Sequence, residues 1–186
     1  MIQDDVFAVD AARKTVSLKA GGSMSYDRLV LSPGVDLMFD QIGGLASAEA
    51  QGKILHTWKA GPQTIALRKQ LESMKDGGVF AISIPSAPYR CPPGPYERAC
   101  LVADYFKKAK PKSKVVILDA NEDVQSKKEL FTKAWADLYK DTIEYRNNSE
   151  VKDVGVKTNT ALLEFDKFKA DVLNVIPPQR AGDIAS

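Results

Sequence analysis

Cys91 is flanked by Pro88, Pro92, Pro93 and Pro95, and Glu97 follows it six residues later. A thiol on so stiff a segment, just ahead of a helix and beside Arg90 and Arg98, has the setting of a nucleophile, because a thiolate attacks sulfur centres and is favoured near cations and helix N-termini. The same residue fits a plainer account, in which Cys91 packs as a small apolar side chain. Glu97 reads either as a proton acceptor for chemistry at that thiol or as a first-turn carboxylate suited to the helix dipole. Cys100 reads as a packed residue of the same helix, a bridge to Cys91 being the alternative. Two cysteines and the single histidine, His56, match no metal-ligand spacing, so no metal site is expected. His56 and Trp58 are expected to be structural.

The elements around these residues alternate strand and helix. Val79–Ile84 is an apolar strand leading into the proline-rich loop, and a helix from about Tyr96 to Lys110 leaves that loop, with Ala99, Val102, Ala103 and Phe106 on one face. Before them, Pro62 opens a helix with Leu67, Leu71 and Met74 at helical spacing, closed by Gly77 and Gly78. After them come a strand at Lys114–Leu118, a helix over about 126–140, and a strand at Ile143–Arg146. The unalternating run KVVIL predicts burial on both faces, as in a parallel sheet. Short strands follow: one over 149–156, and a hairpin over 160–171 turning at Asp166-Lys167. A buried strand then ends at Pro177-Pro178. At the start, 4–10 and 15–19 form a hairpin and 26–34 (YDRLVLSPG) a third strand, with 34–52 read as a loop or linker.

The order β-α-β-α-β, a small antiparallel meander, then a buried strand predicts an α/β, Rossmann-like dinucleotide-binding domain with a parallel sheet, the meander serving as a crossover. The strands before it and the tail after it read as pieces of a neighbouring domain. In that fold a ligand sits at the carboxyl ends of the strands. Yet residues 83–88 (SIPSAP) contain no glycine, and prolines remove amide donors. Asp119, at the end of the second parallel strand, could hold a ribose but fits better as a cap on the following turn. The domain is therefore expected to keep an NAD-domain fold without binding NAD.

The bulk properties exclude several classes. The chain has 186 residues, 44% apolar and 27% charged, with a net charge of +2, which leaves no basic footprint for nucleic acid. No apolar run approaches the roughly 20 residues of a membrane span, and the polar start MIQDD is no signal peptide.

Residues 87–99 (APYRCPPGPYERA) closely resemble the flavoprotein subunit of flavocytochrome c sulfide dehydrogenase. Residues 26–34 (YDRLVLSPG), 56–64 (HTWKAGPQT), 112–119 (KSKVVILD) and 174–182 (NVIPPQRAG) are similar to that family too. The resemblance implies two Rossmann-like domains. Residues 1–50 would be flanking strands and linker of an FAD-binding domain, 51–177 the second, NAD-domain-like domain, and 178–186 a return to the first. It further implies FAD, with Pro33 and Gly34 near it, although these two fit equally well as a strand terminator. On the same ground Cys91 matches the first cysteine of a redox-active disulfide whose partner lies outside this chain, and Glu97 matches a glutamate that handles protons. Sulfide would be the substrate, a cytochrome c subunit the acceptor and the periplasm the location. The relatives left open are sulfide:quinone and NADH dehydrogenases, or a docking domain inert on its own.

Overall fold

The computed structural model describes residues 1–185, so Ser186, the end of the expected return segment, lies outside the described residues. The chain forms two units. One is Met1–Asp36 with the chain from Gln179 on, and the other is Leu37–Pro178.

In the first unit, β1 (Val6–Asp10), β2 (Thr15–Leu18) and β3 (Ser23–Ser25) form an antiparallel meander with Val9 opposite Val16. The hairpin is the expected one, but the third strand is not. Residues 26–34 form no strand, and Val30 is 89% exposed. Apolar alternation favours extended backbone, but a strand also needs a neighbour for its amide ladder. Among the described residues of this unit no strand pairs with Leu29–Leu31.

Strand β4 (Val35–Leu37) spans the boundary between the units, and α1 (Ala48–Lys53) is the first α-helix of the second. Residues 34–52 are thus not only loop: Ser47 Oγ caps α1 by accepting from the Ala50 N–H, and Ile42, Leu45 and Ala50 are buried. Next come α2 (Pro62–Ser73), β5 (Val79–Ile84), α3 (Gly94–Ala109), β6 (Lys114–Asp119), α4 (Lys128–Leu138) and β7 (Ile143–Arg146). Strands β8 (Asp153–Gly155), β9 (Thr160–Leu162) and β10 (Lys167–Lys169) form a separate antiparallel sheet. The chain then returns as β11 (Val172–Val175), and β12 (Gln179–Ala181) belongs to the first unit.

The central sheet is parallel, in the order β11-β5-β6-β7. The α/β class, the parallel sheet and the antiparallel crossover are those expected. Alternate residues of the strands divide the core. Phe80, Ile82, Ile84, Val115 and Ile117 pack with Leu67, Phe106, Phe131 and Trp135 of the helices. Ala81, Val116, Leu118, Leu173 and Val175 face the other way and pack with Ile42, Leu45, Val154 and Ala161. That double burial is why KVVIL lacks alternation, and each such side chain contributes about 1.5–3 kcal/mol.

Candidate functional site

The loop between β5 and α3 lies at the carboxyl end of the sheet, where this architecture places ligands. α3 begins two residues earlier than expected, at Gly94, with Pro93 before it and Pro95 in its first turn, where a missing N–H costs no helical bond. Cys91 is exposed and has φ of 57°, a left-handed conformation uncommon for a residue with a Cβ. Its carbonyl accepts the Gly94 N–H at 2.9 Å, closing a tight turn onto the helix head. The account in which Cys91 packs as a buried apolar side chain does not hold.

Gly94 is needed there. A Cβ at Gly94 would lie 2.8 Å from Cη2 of Trp58 and 3.3 Å from Cys91 Sγ. Thiol and indole each lie close to this glycine. Trp58 is held from behind by Arg98, whose guanidinium lies 5.4 Å from the ring centroid. Arg98 also donates to the carbonyls of His56 (3.0 Å) and Thr57 (2.7 Å) and to Asn174 Oδ1 (2.9 Å). All these acceptors are neutral, and burial brings the Arg98 pKa down to about 10. Asn174, fully buried, donates in turn to the carbonyls of Leu55 and His56. His56 Nδ1 accepts the Trp58 N–H at 2.8 Å, which puts the ring proton on Nε2. His56 and Trp58 are structural, as expected.

Glu97 is exposed, one helical turn beyond Gly94 and so on the same side of α3. Cys100, half-buried and a free thiol like Cys91, has its pKa raised by burial, opposed by the Trp135 indole and reinforced by Glu97.

Behind the loop lies a cluster that spacing does not announce. Asp119 ends β6 fully buried, and its Oδ2 accepts from the hydroxyls of Tyr96 (2.7 Å) and Tyr145 (3.1 Å). Its Oδ1 accepts from the backbone N–H (3.0 Å) and Nδ2 (2.7 Å) of Asn121, the turn cap expected of it. Four donors saturate the carboxylate, and a ribose would find it occupied. The crevice between the ends of β5 and β11 measures about 130 Å³, with Ser83, Pro85 and Ser86 in its wall. Ligand pockets usually measure about 300–1,000 Å³, and this crevice is smaller than that. A groove of about 590 Å³ between α2 and α3 is lined by Leu67, Leu71, Leu101 and Arg98, without Cys91 or Glu97.

In the first unit, Pro33 and Gly34 are exposed. Gly34 has φ of 77° and no heavy atom within 4 Å of where a Cβ would be, and its carbonyl accepts from Gly182 N–H. An open backbone of this kind suits close approach by a planar cofactor such as FAD. Among the described residues no acidic, histidine or cysteine cluster could hold a metal, and no helix is long and apolar enough to cross a membrane.

Residues 64–177 match the family described as the central part of the flavoprotein chain of flavocytochrome c sulfide dehydrogenase. The mouse mitochondrial sulfide:quinone oxidoreductase is 25% identical over 98% of this chain, which spans 42% of that protein. Among solved structures, the sulfide:quinone oxidoreductase of Aquifex aeolicus has a TM-score of 0.66 at 18% identity, over 95% of this chain and 42% of that one. A pyridine nucleotide-disulfide family oxidoreductase of Enterococcus faecalis V583 has a TM-score of 0.66 at 17% identity, over 97% and 39%. These two establish the fold. The family match covers well over half of the sequence, and the chain belongs to the sulfide dehydrogenase flavoprotein family.

Proposed function

We propose that this member of the sulfide dehydrogenase flavoproteins is part of an FAD-dependent enzyme that oxidises sulfide, with Cys91 as one sulfur of a redox-active disulfide beside the flavin. The observation that carries this reading is the setting of Cys91: exposed, and held in a left-handed turn that the Gly94 N–H closes at the head of α3. The chain spans less than half the length of the relatives it matches, and the second sulfur is assigned, on the family resemblance alone, to a residue outside these 186.

In the oxidised enzyme hydrosulfide attacks the disulfide. A new S–S bond forms as a persulfide, the original S–S bond breaks, and the second cysteine leaves as a thiolate holding the electron pair. Bound FAD supplies the acceptor for two electrons, so that each sulfide sulfur is oxidised by two electrons overall. Glu97, exposed and on the Gly94 side of α3, is the acceptor for the proton of hydrogen sulfide. On the family likeness of residues 26–34, Pro33 and Gly34 would hold FAD, with open backbone at Gly34. The saturated Asp119 and the glycine-free loop support the exclusion of NAD.

The likeness of residues 87–99 to the flavocytochrome subunit supports cytochrome c as the final acceptor and a periplasmic location. The mouse relative supports quinone instead. With the full-length protein, sulfide-dependent reduction of cytochrome c and of a soluble ubiquinone analogue is measured side by side. Turnover with cytochrome c alone is expected. Turnover with quinone alone would move the protein to the second reading, and activity with NADH in place of sulfide would overturn both.

A further inference from the structure

We propose that the groove between α2 and α3 binds an aliphatic carboxylate, with Arg98 taking the carboxylate and the leucines of both helices taking the chain. Neither Cys91 nor Glu97 lines this groove, so the proposal stands apart from the redox reading of their loop.

The two helices run the same way. At one end Arg98 of α3 donates to the carbonyl of Thr57, ahead of α2. At the other, Lys110, at the C-terminal end of α3, donates to the carbonyls of Glu72 and Met74 at the end of α2. The N-terminal end of α2, with its partial positive charge, is therefore on the Arg98 side. Thr57 and Thr64, the latter in the first turn of α2, line the groove there. Beyond them Leu67 and Leu71 line it from α2, and Leu101, Val102 and Tyr105 from α3. From Arg98 to Tyr105 is two helical turns, roughly 10 Å. The groove measures about 590 Å³, well within the range of ligand sites. It is polar and positive at one end and apolar along its length.

The positive end has no acid to match it. Arg98 donates to the carbonyls of His56 and Thr57 and to Asn174 Oδ1, all neutral. Its Nε–H and the second N–H on Nη2 have no acceptor among the described residues, and together such donors form the planar fork that takes a carboxylate through two parallel bonds. Burial alone moves its pKa, and no carboxylate offsets that shift. The one acid in the groove wall, Glu72, is bonded to Arg68 at 2.7 Å. Leu101 lines the groove yet is 72% exposed, apolar surface left to water that an aliphatic chain would cover.

Binding is measured by isothermal titration of the full-length flavoprotein with decanoate and, separately, with decanol, which has the same chain without the charge. One decanoate per chain is expected, with a Kd below about 1 mM. Decanol is expected to bind at least about tenfold more weakly. Because Arg98 also holds the His56–Thr57 turn, this comparison tests its charge without replacing it. Leu101→Glu changes an exposed helical position to another good helix former, so the fold is retained. It is expected to weaken decanoate about tenfold, through lost apolar contact and like charge, and to leave sulfide-dependent flavin reduction unchanged. An absence of saturable decanoate binding overturns the proposal, and so would a groove already covered by another part of the protein, which gives the same result. Equal affinity for decanol removes the anionic end, and unchanged affinity in Leu101→Glu puts the ligand elsewhere. Either of these overturns it too.

Discussion

At His56 the ring is nearly enclosed, its Nδ1 accepts a backbone N–H, and Lys59 and Arg98 stand near it. Burial first, then those two cations, lower its pKa to about 4 from the ordinary 6.5. The neutral ring is therefore the folded form. Above pH 6.5 neither state binds the proton, and the native contacts are fully present. As the pH falls from 6.5 towards 4 the unfolded chain gains a proton that the folded one refuses, and up to about 3 kcal/mol of stability is lost. His56→Asn keeps an acceptor for the Trp58 N–H and cannot titrate. Urea midpoints at pH 7.5 and 4.5 are expected to fall further for the parent than for His56→Asn, and parallel falls would contradict the assignment. Cys91 and Glu97 were legible as candidates because their neighbours in sequence, the prolines and the helix start, define their setting. Arg98 and Asp119 took on their roles through partners such as Asn174 and Tyr96, 76 and 23 residues away, which no local spacing encodes.

Among the elements, β5 was read to its ends and β6 to within a residue, because strands buried on both faces are continuous apolar runs, and β7, only partly buried, was read to its ends as well. α1 was hidden by its length of six residues and by Gly52 within it. The strand expected over 26–34 failed for the opposite reason: the side-chain pattern was present and the partner ladder was not. At the head of α3 two effects compete at Gly94. Alanine there gains about 1 kcal/mol of helix propensity, but its Cβ would stand 2.8 Å from the Trp58 ring and 3.3 Å from Cys91 Sγ. Trp58 is locked by Arg98 and by the His56 turn, so the clash is expected to win. Gly94→Ala should lower the melting temperature and shift Trp58 emission to the red, measured against a Trp135→Phe background. A raised melting temperature with unchanged emission would show that the ring moves freely.

For the whole molecule, the order of strands and helices was enough to give the α/β class and the antiparallel crossover. Residues 83–88 contain no glycine where a nucleotide turn needs one. What the sequence could not show is that the acid left behind is buried and fully bonded, because that depends on Tyr96 and Tyr145 converging from two elements. A nucleotide-domain architecture thus carries an exposed thiol just ahead of α3. The redox role proposed for Cys91 is tested most directly on the full-length flavoprotein, by titrating with sulfide while following the flavin absorbance, in the parent and in Cys91→Ser. The parent is expected to bleach stoichiometrically, and Cys91→Ser, with FAD still bound, to remain oxidised. Equal bleaching and unchanged turnover in the Cys91→Ser protein would contradict the account.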